Sequence, residues 1–213
     1  QASMIRTLTN RSFKKSKGRN LVAILAIILT TMMFTTLFTL AQSMEQNMTE
    51  MYLRQSGTMA HTSCKQINDA QIEQIADYPE VESYGKSIVV GLAENDKLSG
   101  RQVEIRYAND QYAKDSFAYP ITGSMPQSKD EIALDTLTLE RLGIPLELGQ
   151  QVTLEWRRDL FSSEITSSTF TLCGWWEGNM SVYASMAWVS EAFALEACEG
   201  IVVPEEGQIC GLR

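Results

Sequence analysis

Residues 21–41 of this 213-residue chain, LVAILAIILTTMMFTTLFTLA, carry no charged side chain. A helix rises about 1.5 Å per residue, so the run spans roughly 30 Å, the hydrocarbon thickness of a bilayer. Its flanks are unequal. Arg6, Arg11, Lys14, Lys15, Lys17 and Arg19 precede it, and no acidic residue occurs before Glu45. Cytoplasmic flanks are the ones enriched in Lys and Arg. The pattern therefore predicts a cytoplasmic basic arm over 1–20, a transmembrane helix over 21–41, and everything later outside the cytoplasm. A cleaved signal peptide is the rival reading. Its apolar core would be about 7–15 residues long and would end in a small-x-small site. Thr39-Leu40-Ala41 is a poor match to such a site, which favours an uncleaved membrane helix in contact with lipid. The run is also rich in Thr, at 30, 31, 35, 36 and 39. Small hydroxyl residues suit contact between membrane helices, or they bond back to their own helix and face lipid.

Charge narrows the partners. The whole chain carries −8, and once the six cations of the arm are set aside, 12 Lys and Arg face 26 Asp and Glu, so residues 42–213 carry −14. Such a surface argues against nucleic acid and against anionic headgroups, and it serves solubility first. About 170 residues can bury one good core or two small lobes.

Beyond the membrane run, Met44, Met48, Met51 and Tyr52 recur at helical spacing among polar residues. The helix is expected to continue as a stalk over 42–57 and to stop at Gly57. Its apolar stripe packs either on its own domain or on the extensions of other membrane helices. Asn68 or Asp69 caps a second helix with Ile72, Ile75 and Ala76 inward, ended by Tyr78-Pro79. Strands are expected at Ser87–Ala93 and Gln102–Tyr107 around a polar turn, with a short helix near Asn109–Phe117. Glu131–Leu134 reads as a buried strand. Asp135 or Thr136 caps a short helix with Leu137, Leu139 and Leu142. Gly143 occupies the left-handed position after it, and Pro145 forbids continuation. Val152–Trp156, Thr169–Trp175 and Asn179–Val189 alternate as strands, and Ser190 caps a last helix over Glu191–Ala197. Trp175, Trp176 and Trp188 are expected in the core or at a lobe interface. This order gives an α+β fold class: a long N-terminal transmembrane and stalk helix, then a mixed α+β extracytoplasmic domain with room for two lobes.

Chemistry is sparse. His61 is the single histidine and lies near Cys64, but adjacency in sequence does not make a Cys–His pair. Asp130-Glu131 looks like a solvated turn. No Gly-rich phosphate loop, HExxH or GxSxG occurs, so the chain reads as a non-enzyme without catalytic residues, cofactor or metal site. Of the four cysteines, Cys198 and Cys210 enclose a short loop containing Gly and Pro and are the pair this spacing favours; Cys64 and Cys173 read equally well as free buried thiols.

The stretch Ile121–Trp156 adds order to these parts: Gly123, Pro126, Asp130-Glu131-Ile132-Ala133-Leu134, Leu142-Gly143, Leu148-Gly149 and Val152-Thr153-Leu154. This series resembles the MacB-like periplasmic core domain of FtsX-like ABC transporter permeases. The lead-in Leu8-Thr9-Asn10-Arg11 with Lys17-Gly18-Arg19-Asn20, and the strand Phe170–Gly174, resemble parts of the same family. The resemblance implies a first transmembrane helix, a MacB-like core domain over 58–213, three further membrane helices, a second permease copy or half, and a cytoplasmic ATPase subunit or domain that does the hydrolysis. It implies a structural role for Gly123, Pro126, Glu131, Ile132, Leu142, Gly143, Leu148 and Gly149, and it leaves the transported substrate open. The four cysteines are a departure from the family pattern. The rivals are a single-pass protein with an exterior binding or sensing domain, and a membrane-anchored enzyme.

Overall fold

The computed structural model describes Met4 and residues 16–210. The basic lead-in around Leu8–Arg11, with Arg6, Lys14 and Lys15, lies outside the described residues. Two compact units emerge, Gln1–Glu50 and Met51–Arg213.

The first unit is most of one helix. α1 runs over Lys17–Ser56, with no buried residue, and is long and apolar enough to cross a membrane. The five threonine hydroxyls of its apolar run each donate to a carbonyl four residues back, at 2.7–2.8 Å. That satisfies every one of these hydroxyls within the helix, so lipid can face them without penalty. Met44, Met48, Met51 and Tyr52 are exposed.

The second unit is built on nine strands: β1 (Thr62–Lys65), β2 (Ser83–Ala93), β3 (Gln102–Ala108), β4 (Thr122–Gly123), β5 (Glu131–Asp135), β6 (Gln151–Arg157), β7 (Thr166–Trp176), β8 (Ala184–Val189) and β9 (Glu205–Cys210). The helices that accompany them are α1, α2 (Asp69–Ala76), α3 (Asp110–Asp115), α4 (Thr136–Leu142) and α5 (Glu191–Ala197). The pairings close a ring. β2 pairs β3, β3 pairs β8, β8 pairs β5, β5 pairs β7, β7 pairs β6, and β6 returns to β2. The β3–β8 and β5–β7 pairs are parallel and the others antiparallel. The result is a six-stranded mixed barrel.

Period-two alternation explains its filling. Ile88 and Val90, Val103 and Ile105, Ile132 and Leu134, Val152 and Leu154, Phe170 and Leu172, Ala187 and Val189 form one buried cluster, two residues from each ring strand. Leu139 and Leu142 of α4 and Ala194 of α5 join it. The seam where β6 meets β2 depends on Gly91: a Cβ there would lie 2.4 Å from the Arg157 carbonyl oxygen. A second cluster, with Tyr112, Met125, Trp176 and Trp188, buries the outer face under α3 and the segment after it. Trp188 is fully buried and its indole N–H donates to the Ala118 carbonyl at 2.7 Å. One unit with one branched sheet thus takes the place of two lobes.

The spur of that sheet is β9, paired to the first half of β2, with β1 outside it. Sequence alternation does not reveal β9 in Glu-Glu-Gly-Gln-Ile-Cys. Nor does the expected strand Asn179–Val189 run its full length. Asn179 instead builds a turn, its side-chain oxygen accepting from Ser181 N at 2.8 Å, and the strand starts at Ala184.

The four cysteines are free, which corrects the expected Cys198–Cys210 bridge. Cys198 is buried at the end of α5 with its thiol toward the Val89 carbonyl. Cys210 lies opposite Ser83, six residues along β2 from Val89. At about 3.3 Å per residue the two are of order 20 Å apart, while a disulfide needs Cα atoms within about 7 Å.

Candidate functional site

Within Met51–Arg213, the point where α1 ends is tied to the rest of the unit by side-chain and backbone contacts. Gly57, at φ 82°, stops the helix as the sequence predicts. Three contacts then fasten the exit. The Arg54 guanidinium carbon sits 4.9 Å from the centre of the Phe117 ring. Thr58 Oγ1 donates to Gln208 Oε1 at 2.9 Å. Met59 N donates to the Asp115 carbonyl at 2.8 Å.

Phe117 is unusual for its backbone. It follows α3 at φ 54°. Its N–H donates to the Lys114 carbonyl at 3.1 Å and the Ala118 N–H to the Ala113 carbonyl at 2.9 Å. Those two bonds are a Schellman closure, and Phe117 occupies the left-handed position that glycine normally fills. A non-Gly residue held there costs on the order of 1–3 kcal/mol. The cation–π contact with Arg54 returns only about 0.5–2 kcal/mol. Replacing the side chain by glycine would remove the strain and the contact together. The sequence predicts a short helix here but carries no signal for the joint, because Phe117 and Gln208 lie far along the chain from Arg54 and Thr58.

The residues that carry the sequence resemblance lie elsewhere, and several of them stand against β7. Gly123 pairs with Gly174, and its φ of 79° with only 2.1 Å from a Cβ to the Cys173 carbonyl leaves no room for a side chain. Pro126 is buried on the approach to β5. Glu131 faces Thr171 and Ile132 faces Leu172. Leu142 is buried, and Gly143 ends α4 in a Schellman closure, with Ile144 N donating to the Leu139 carbonyl at 2.9 Å. Leu148 is half exposed, and Gly149 N donates to the Leu172 carbonyl at 2.8 Å. Gly123, Gly143 and Gly149 thus stand at turns or beside a wall strand, and Glu131 and Ile132 lie in register with β7.

The Glu131 carboxylate accepts from Gln127 N at 2.7 Å and Ser128 N at 3.0 Å. These bonds hold its carboxyl below the ordinary value of 4.5. Asp135 caps α4, accepting from Thr138 N at 2.7 Å and from the Ser185 hydroxyl. Ser185 in turn accepts from Arg101 Nε at 2.7 Å. Arg101 also donates to the Asn179 carbonyl at 3.2 Å, and the hollow beside this polar chain measures about 30 Å³.

Burial, then the Glu131 charge, pushes the Cys173 thiol up to about 12. Burial, then the neighbouring Asp115 carboxylate, pushes Cys210 up to about 11. Neither is a thiolate at neutral pH, and the thiolate is the reactive form. His61 is exposed just ahead of β1, whereas Cys64 is half-buried within it. No group of three His, Cys, Asp or Glu suited to a metal ion occurs among the described residues.

Solved structures similar to this chain include two from transporters. One is the extracellular domain of YknZ, a noncanonic ABC-type transporter from Gram-positive bacteria, at 11% identity and TM-score 0.47, covering 69% of this chain and 74% of that one. The other is the periplasmic region of MacB from Actinobacillus actinomycetemcomitans, at 12% identity and TM-score 0.45, covering 71% and 67%. No family model matches the sequence. No curated protein matches it either.

Proposed function

We propose that this chain is the N-terminal part of an ABC transporter permease subunit. In this reading residues 1–20 are a cytoplasmic arm, 21–41 cross the membrane, 42–57 form a stalk, and 58–213 are a MacB-like extracytoplasmic domain. The domain passes ATP-driven motion of the membrane helices to a substrate or partner outside, and hydrolysis belongs to a separate cytoplasmic ATPase subunit or domain. The observation that carries the reading is α1 itself, unbroken over Lys17–Ser56, with its last turn fastened by Arg54, Thr58 and Met59. A hydrogen-bonded helix is stiff along its axis, so a displacement at one end reaches the other. The motif order over Ile121–Trp156 supports the family. The exposed Met44–Tyr52 stripe supports packing against the extensions of other membrane helices, from the same permease or its second copy.

The test is a Gly-Gly insertion between Glu45 and Gln46 in the full protein, purified with its ATPase. Nucleotide is expected to change hydrogen exchange over Lys114–Ala118 in the parent and to leave it unchanged in the insertion variant, while the ATPase still assembles and turns over. Phe117→Gly should weaken the same response while raising stability slightly, because strain leaves with the ring. A normal nucleotide response in the insertion variant would sink the lever. The permease reading itself fails if the coding frame holds no further apolar runs of about 20 residues and no ATPase accompanies it.

A further inference from the structure

The ring of strands is closed unevenly. Where β6 meets β2 the ladder holds two residue pairs, Leu92 with Arg157 and Ala93 with Trp156. The β5–β8 ladder holds three and the β6–β7 ladder six. Past Ala93 the main chain leaves the seam for a 3-10 turn over Asp96–Leu98. Glu94 N still donates to the Glu155 carbonyl at 2.6 Å. An antiparallel rung would return a bond from Glu155 N to the Glu94 carbonyl. Instead Glu155 N donates to Asn95 Oδ1 at 3.0 Å, and Asn95 Nδ2 donates to the Thr153 carbonyl at 3.0 Å. One side-chain amide thus supplies the acceptor and the donor that a further peptide group of β2 would supply.

The other ties across the seam are weaker. Glu94 and Arg157 form an ion pair at 2.6 Å, but both side chains are partly exposed, and such pairs add little. Gly91 lets the two strands approach and brings no side chain of its own. Val152 and Leu154 hold β6 to the core from inside. Every ring strand has that inward burial, so the seam differs from the other joints in its ladder.

We propose that Asn95 is the latch of the barrel: its side chain holds the seam shut, and the ring opens between β2 and β6 when those two bonds are released. Opening leaves the main-chain groups of Thr153 and Glu155, which face the seam, as a bare strand edge, the template on which extended segments pair. The latch therefore also keeps that edge from pairing with foreign strands. The proposal does not depend on the permease reading.

Amide hydrogen exchange of the full chain in detergent, resolved residue by residue, tests this with two variants. Asn95→Asp keeps the size and the acceptor but loses the donor to Thr153, and Asn95→Ala loses both bonds. Each lost bond should raise the open population about tenfold. The amides of Leu92, Glu94, Glu155 and Arg157 should then exchange about tenfold faster in Asn95→Asp and roughly a hundredfold faster in Asn95→Ala, all four by one common factor. Amides of Ile132 and Leu134 on β5, and of Ala187 and Val189 on β8, should keep their parent rates. A common factor marks one cooperative opening, whereas a lost bond that only bares its own donor quickens Glu155 alone. Quickening confined to Glu155, quickening shared by β5 and β8, or parent rates at the seam in Asn95→Ala would each overturn the proposal.

Discussion

One edge of β2 carries two different strands, and they are held in different ways. The second half, Leu92 and Ala93, meets β6. The first half, Ser83–Ile88, meets β9. β6 buries Val152, Leu154 and Trp156 on one face and leaves Gln151, Thr153 and Glu155 outside. β9 has no such stripe. Its Glu205 turns to Lys86 at 3.6 Å, and its Glu206 turns to Arg106 at 2.6 Å. Successive residues of a strand face opposite ways, so β9 is clamped by one cation on each face of the sheet. Gln208 adds the bond to Thr58 at the exit of α1. Apolar burial works with any apolar neighbour. A charge clamp works only with its particular partners in place.

Removing a barrel ring should therefore act on the whole unit. Phe170 is 1% exposed and lies 5.0 Å, edge to face, from Phe193. Phe170→Ala leaves a cavity in the centre of the fold and should cost about 3–5 kcal/mol. Tryptophan fluorescence during denaturant unfolding of the detergent-solubilised chain should show one transition at lower denaturant. A variant that melts β9 alone and leaves the barrel transition in place would contradict the view that the ring is one cooperative body.

Breaking the clamp should act locally and more weakly. Arg106 is largely buried between Glu104, Glu206 and Tyr112. Glu206→Gln removes one charge-assisted bond but keeps a neutral acceptor, at a cost of about 1–2 kcal/mol. Amide exchange at Gly207 and Gln208 should quicken while amides of β5 and β7 hold. Uniform quickening across both regions would erase the distinction between spur and wall.

The same contrast explains what the sequence discloses. Ile132, Leu134, Val152, Leu154, Phe170 and Leu172 alternate, Asp135 caps and Gly143 terminates, so the wall from β5 to β7 can be read residue by residue. Those signals are local, spaced by two residues or one helical turn. β9 becomes a strand because Lys86 and Arg106, about a hundred residues earlier, supply its partners. No local pattern encodes that. The joint at Phe117 was hidden for the same reason, and also because a phenylalanine stands where glycine would have announced the turn.

The smallest predicted effect separates the two regions by pH. Glu131, at the start of the wall, has its carboxyl lowered from 4.5 by the Gln127 and Ser128 amides. A depressed carboxylate contributes stability that is present above the ordinary value and lost as pH falls through the lowered one. Lys86, on the spur, is the opposite case. Burial alone would lower it, but the bond to Asp69 and the charges of Glu205 and Glu191 raise it above 10.5. Its contribution is present below 10.5 and is lost only as pH rises through the raised value. Acid should thus loosen the wall and alkali the spur. Between about pH 5 and pH 3, the parent should lose more stability than Glu131→Gln, because only the parent gains a proton there on unfolding or titration. Denaturant midpoints across that range check it. Parallel profiles for parent and variant would mean that the two amide bonds hold the neutral acid as well as the carboxylate, and the acid sensitivity of the wall would then have to come from a different group.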